Sequence, residues 1–209
     1  MRKSDIKVGF VSLGCPKNQV DSELMLEKLD AAGYEIIDTA YGADVVIINT
    51  CGFIDPAKQE SIDAVLEMAE YKKTGHLKLL IMTGCLSERY HDSIKDELPE
   101  VDAAIGAGDF YKIAKVIEDA QKGEYVCLWG NQNDEIPENL PRILATQEHV
   151  AYLKIAEGCD NRCTYCVIPD LRGKFRSRPM EDVLAEAKEM VSLGAKEIIL
   201  VSQDTTRYG

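Results

Sequence analysis

Short apolar runs of strand length recur along this chain with helix-length amphipathic segments between them, and that alternation restricts the fold more than any other feature. The order is IKVGFVSL, SELMLEKLDAAGY, ADVVIINT, AKQESIDAVLEMAEYKK and LKLLIMT. Strands separated by helices imply βαβ units, and therefore a parallel sheet with helices on both faces. VVIIN and LLIM are almost wholly apolar, as strands covered on both faces must be. The pattern continues through VDAAIG, through FYKIAKVIEDAQKG with a glycine at its end, and through EYVCLW. A doubly wound, Rossmann-like α/β domain over residues 1–130 is the expectation.

Periodicity fails in NQNDEIPENLPRILATQE, where prolines and Asn/Asp residues cluster, so residues 131–148 read as a linker. A second βα series opens after it: the strand VAYLKIAEG, a cysteine-rich loop, a helix starting at Pro179, and the strand KEIILVSQ. Residues 149–209 therefore begin a further domain. Two strands are too few to close a barrel. A length of 209 residues agrees with one whole domain and part of another.

The amino-terminal apolar stretch runs quickly into polar sequence, which fits neither a signal peptide nor a membrane span and predicts a cytoplasmic protein. In that reducing compartment seven cysteines are better read as metal ligands or catalytic thiols than as disulfides. Cys15, Cys51 and Cys85 each follow a predicted strand, about one βαβ repeat apart, so a parallel sheet would gather them on its carboxyl edge, where α/β folds bind ligands. Gly14, Gly52 and Gly84 adjoin them, as close backbone packing around a cofactor requires. Any one of these cysteines alone would read as a small buried thiol; their repetition points to a shared site. Cys127 lies inside a predicted strand and is expected in the core.

The second group is local: Cys159, Cys163 and Cys166 form a C-x3-C-x2-C run. Three thiolates at this spacing can hold three corners of a cubane iron–sulfur cluster and leave the fourth iron open. Closed structural zinc sites take four ligands, and the run lacks a nearby fourth Cys or His. The net charge of −12 argues against a broad grip on nucleic acid and allows a basic protein partner. Arg172, Lys174, Arg176 and Arg178 form the one dense basic segment, which reads equally well as a solvated turn.

At these residues the chain resembles the radical S-adenosylmethionine methylthiotransferases. The segments VSLGCPKNQVDSE, NTCGFIDPAKQES, TGCLSERY, AEGCDNRCTYCVIP, RGKFRSRP and VSQDTTRYG resemble the branch that modifies an aspartate of a small-subunit ribosomal protein. The resemblance implies a TIM-like partial barrel from residue 149, two 4Fe–4S clusters and S-adenosylmethionine as cofactors. It assigns Cys159, Cys163 and Cys166 to the cluster that binds and cleaves S-adenosylmethionine, yielding a 5′-deoxyadenosyl radical. It assigns Cys15, Cys51 and Cys85 to an auxiliary cluster that carries the transferred sulfur. A methylthio group would replace hydrogen on the aspartate β-carbon, with a second S-adenosylmethionine supplying the methyl and an electron donor as a further partner. Tyr165 beside the last thiol, and Gln203 and Asp204 at the end of the second barrel strand, are candidates for the cofactor or substrate side.

Where family members continue through the barrel, this sequence ends after two barrel strands, so by itself it is expected to load iron without turning over. Two alternatives stay open at this level. The same chemistry acts on tRNA adenosine in a related branch, which favours a GQN-type segment where this chain has Gln203-Asp204-Thr205. A non-enzymatic zinc or redox protein would use the thiols differently.

Overall fold

The computed structural model describes residues 2–134, 140–146 and 149–209. Eleven strands and α-helices form the first part: β1 (Lys7–Ser12), α1 (Pro16–Ala31), β2 (Glu35–Ile37), β3 (Val45–Thr50), α2 (Asp55–Lys73), β4 (Leu79–Gly84), α3 (Cys85–Arg89), α4 (Ile94–Glu97), β5 (Ala103–Ile105), α5 (Ile113–Ala120) and β6 (Val126–Leu128). All six strands are parallel, in the order β2-β1-β3-β4-β5-β6. The expected doubly wound sheet is present, and residue parity shows why it is two-sided. Val45 and Ile47 of β3, with Ile81 of β4, pack against α1 and α5. Val46 and Ile48, with Leu80 and Met82, pack against α2, α3 and α4. Each such aliphatic side chain, fully buried, contributes roughly 1.5–3 kcal/mol relative to exposure.

The helices start and stop where local chemistry directs. Pro16 opens α1, where its missing N–H costs nothing. Asp55 lies in the first turn of α2 and Lys72 and Lys73 in its last, each charge matched to the nearby end of the helix dipole.

Sequence reading missed β2, because EII is short and forms an edge. Its presence matters: the chain runs from β1 to β2 on one side and returns to β3 on the other, so the order reverses between β1 and β3. Cys127 corrects another expectation. It is exposed, because β6 is the opposite edge of the sheet and presents this side chain to solvent.

Of the expected linker 131–148, residues 135–139 and 147–148 lie outside the described residues. Residues 140–146 are packed: the Arg142 side chain is 3% exposed, pairs with Glu23 of α1 at 3.2 Å, and donates to the Tyr152 carbonyl at 2.7 Å.

Beyond it come β7 (Val150–Lys154), β8 (Ala156–Glu157), α6 (Ile168–Arg172), β9 (Arg176–Ser177), α7 (Met180–Ser192) and β10 (Glu197–Val201). β7 and β10 pair in parallel, and α7 covers one face through Val183 and Met190. β8 and β9 form an antiparallel bridge that folds the basic segment back onto the start of the cysteine loop. Among the described residues no helix is long and apolar enough to cross a membrane.

Candidate functional site

The reversal point between β1 and β3 opens a crevice at the carboxyl edge of the sheet, the usual ligand position in such folds. Cys15 follows β1 and caps α1, Cys51 follows β3, and Cys85 begins α3 directly after β4. Three neighbouring strands thus deliver three thiols to one edge. Asn18, in the first turn of α1 and wholly buried, lies between Cys15 and Cys85. Its Oδ1 lies 4.0 Å from the Cys15 Sγ and 3.8 Å from the Cys85 Sγ. Its Nδ2 donates to the Leu13 carbonyl at 3.0 Å and to the Thr50 carbonyl at 2.9 Å, tying the ends of β1 and β3 together.

Glycine makes this convergence possible. A Cβ on Gly14, which sits at φ +92°, would stand 2.9 Å from the Cys51 Cβ and 3.3 Å from its Sγ. One on Gly52 would stand 2.7 Å from the Cys85 carbonyl oxygen. The backbones therefore approach more closely than any side chain would allow. Cys15 is exposed, Cys51 half-buried and Cys85 buried, so the group opens to solvent on one side. Beside Cys15 is a cavity of about 520 Å³ bounded by Gly14, Gln19, Thr146 and Tyr152.

Against Cys85 lies Arg172, from α6. Its Nε donates to the Cys85 Sγ at 3.4 Å, its Nη2 to Asn18 Oδ1 at 2.6 Å, and its Nη1 pairs with Asp21 at 2.6 Å and Glu157 at 3.2 Å. Lys154 joins the same carboxylates, and Lys17 reaches Glu157 at 3.5 Å. All five charged side chains are at most 6% exposed. Three cations face two carboxylates, and the Cys85 thiol borders the excess. Burial pushes the Cys85 thiol up, while the Arg172 guanidinium opposes the shift. Burial also disfavours the Arg172 charge, yet Cys85, Asp21 and Glu157 outweigh it and hold the guanidinium well above its usual range. A cluster of net negative charge held by these thiols would complete the local balance, so the residues fit such a group.

The C-x3-C-x2-C loop lies next door. The Cys159 N–H donates to the Gly173 carbonyl at 3.0 Å, one residue beyond Arg172, and the Cys166 N–H closes a turn onto the Cys163 carbonyl at 2.9 Å. Arg162 takes φ +48°, an uncommon conformation for a residue with a side chain. Cys159, Cys163, Cys166, Asp160 and Lys174 line a cavity of about 550 Å³. Cys159 is buried, Cys166 half-buried and Cys163 exposed, which again leaves an open side. Among the described residues no three Cys, His, Asp or Glu side chains are drawn to the spacing of ligands on one ion. Thiolates of a cluster bind separate iron atoms and form a wider triangle.

Of the remaining candidates, Tyr165 is 84% exposed and Gln203 half-buried. Asp204 accepts from the Thr206 N–H at 3.1 Å and from Asn161 Nδ2 at 3.3 Å, which joins the end of β10 to the cysteine loop. Asn18 and Arg172 were not singled out as site residues from the sequence. A signal existed: Lys17, Asn18, Asp21, Ser22 and Glu23 crowd polar groups onto α1, and all are buried.

A parallel α/β sheet with a cysteine-lined edge, joined to the opening of a radical S-adenosylmethionine barrel, defines the class. Residues 7–106 match the uncharacterized protein family UPF0004, and residues 153–209 match the radical SAM superfamily. The ribosomal protein uS12 methylthiotransferase RimO of Thermoanaerobacter sp. (strain X514) is 56% identical over 202 residues, which are 97% of this chain and 46% of that protein. The RimO of Geobacter sulfurreducens is 51% identical, over 100% of this chain and 47% of its own length. Over nearly its whole length the chain is similar to these RimO methylthiotransferases. It spans about half the length of the curated relatives it matches. Two structures of TsrM, a radical S-adenosylmethionine methyltransferase from Kitasatospora setae, share the fold. They align at TM-scores of 0.61 and 0.62 with 11% and 10% identity, covering 95% and 98% of this chain and 48% of theirs.

Proposed function

We propose that this chain provides the cluster-binding part of an enzyme that methylthiolates an aspartate β-carbon of the small-subunit ribosomal protein uS12. One observation carries the reading: three neighbouring strands deliver Cys15, Cys51 and Cys85 to one sheet edge, with Asn18 between the Cys15 and Cys85 thiols, and the adjoining loop presents three more. Cys15, Cys51 and Cys85 are the proposed ligands of an auxiliary 4Fe–4S cluster, and Cys159, Cys163 and Cys166 those of the cluster that engages S-adenosylmethionine. Clusters and cofactor supply the radical chemistry and the sulfur, which no side chain can provide for an unactivated C–H bond.

The chain's own work is placement. Gly14, Gly52 and Gly84 let the loops close, and Asn18 fixes their separation. The acidic balance of the chain suits a basic ribosomal protein better than tRNA, the substrate of the related branch. Tyr165, Gln203 and Asp204 are assigned to the cofactor or substrate side, residues 1–130 and 149–209 to two domains, 131–148 to the segment between them, and the whole to the cytoplasm with a separate electron donor.

Iron analysis after anaerobic reconstitution tests the assignment. About eight irons per chain are expected if both triads hold 4Fe–4S clusters. Replacing either triad by alanine should halve that figure, while Cys127→Ala leaves it unchanged. Equal iron in all three variants would refute the ligand assignment, and stoichiometric zinc would favour the non-enzymatic alternative.

A further inference from the structure

Arg172 belongs by sequence to the loop after the second cysteine triad, yet its guanidinium is buried against the first. Its side chain is 3% exposed and is held in one orientation by Asp21, Glu157 and Asn18 together. Those three acceptors use Nη1 and Nη2, which leaves Nε to aim its N–H at the Cys85 Sγ at 3.4 Å. Its backbone is anchored on the other site, because the next residue, Gly173, accepts from the Cys159 N–H. Asp21 reaches it from α1 of the sheet domain, and Glu157 from the strand that leads into the second triad.

We propose that Arg172 is a positioning residue that donates a charged hydrogen bond to the Cys85 thiolate of the auxiliary cluster and thereby sets that cluster's reduction potential. This rests on the ligand assignment of Cys15, Cys51 and Cys85. The physical reason is general. Reduction adds negative charge to a cluster, and a fixed cation with an N–H directed at a ligating sulfur stabilises the reduced form more than the oxidised one. Burial strengthens the effect, since solvent cannot screen a cation at 3% exposure. Since the donor is carried by the segment that also closes the C-x3-C-x2-C loop, the auxiliary site acquires its full potential only when the two parts are docked.

The test uses the reconstituted chain with Cys159, Cys163 and Cys166 all replaced by alanine, so that iron and electron paramagnetic resonance report the auxiliary site alone. Absence of iron in this parent sinks the ligand assignment and the proposal with it. With iron present, a redox titration should place Arg172→Gln at a lower midpoint potential than the parent. Arg172→Lys, which keeps the charge and loses the fixed fork, should shift the same way by less. Lys174→Gln, which removes an exposed charge two residues on, should leave the potential where it was. Full iron with the parent's potential in both Arg172 variants overturns the proposal, as does an equal shift in Lys174→Gln. Where Arg172→Gln fails to unfold cooperatively or to load iron, Arg172→Lys decides. Failure of both to load iron assigns Arg172 to the fold and overturns its role in the potential.

Discussion

Gly84 shows how much one residue can fix. It sits at φ +93° and ψ −160°, a region open in practice only to glycine, directly before Cys85. A Cβ there would collide with Asn49 Oδ1 and stand 2.5 Å from the Thr50 carbonyl oxygen. Asn49 in turn donates to the Asn18 carbonyl at 2.9 Å, so the collision is passed to the residue between the Cys15 and Cys85 thiols. Gly84→Ala should therefore cost about 1–3 kcal/mol from backbone strain alone. Iron should fall selectively at the Cys15, Cys51 and Cys85 site. Calorimetry and iron analysis check the two effects separately; a variant with the parent's melting temperature and full iron contradicts the account. The glycine and the cysteine were both visible in the sequence, but the positive φ was not. Nor was Asn18, because a lone Asn in the first turn of a helix ordinarily reads as a local hydrogen-bonding residue.

At the scale of elements, α1 has a double role. Its apolar residues Val20, Leu24 and Met25 pack on the sheet, while Asp21 and Glu23 are buried against the second part of the chain. Burial pushes the Glu23 carboxyl up, against the pull of Arg142 and of the Ala145 N–H. Arg142→Leu would leave that carboxylate buried without its partner, a change that costs on the order of 3–5 kcal/mol. Urea denaturation should show the loss, and adding Glu23→Gln should recover a good part of it. A double variant no more stable than Arg142→Leu would mean that the pair is not what joins residues 140–146 to α1. The same double role explains why periodicity located α1 and said little about its surroundings. A helix buried on two sides has no wide polar face for a pattern to reveal.

At the scale of the whole molecule, the apolar side chains around α7 and β10 depart, among the described residues, from an ordinary globular surface. Leu184 and Val191 of α7, Leu193 just beyond it and Leu200 of β10 are each more than half exposed. Among the described residues β10 pairs with β7 alone, which leaves a strand edge open. Apolar exposure beside an open edge favours self-association. The 209-residue chain should bind a hydrophobic dye and sediment above monomer mass at micromolar concentration, and Leu200→Lys should weaken both. A dye-silent monomer would contradict this.

By itself the sequence determined the elements and their chemistry. Strand and helix differ in period, which makes the parallel α/β architecture legible from the apolar runs. A C-x3-C-x2-C run is a local motif, readable without a fold. The dispersed triad could be inferred only as far as a shared sheet edge. Tertiary structure decided the rest, for physical reasons. The three-residue strand β2 is held by pairing with β1 rather than by its own pattern, yet it places the reversal point between the first two cysteines. Cys127 became exposed because strand order put β6 at an edge, which no local pattern encodes. Arg172 read equally well as part of a solvated basic turn; only the packing of α6 against α3 turned it inward, where Asp21 of α1 and Glu157 of β8 made burial of its charge tolerable.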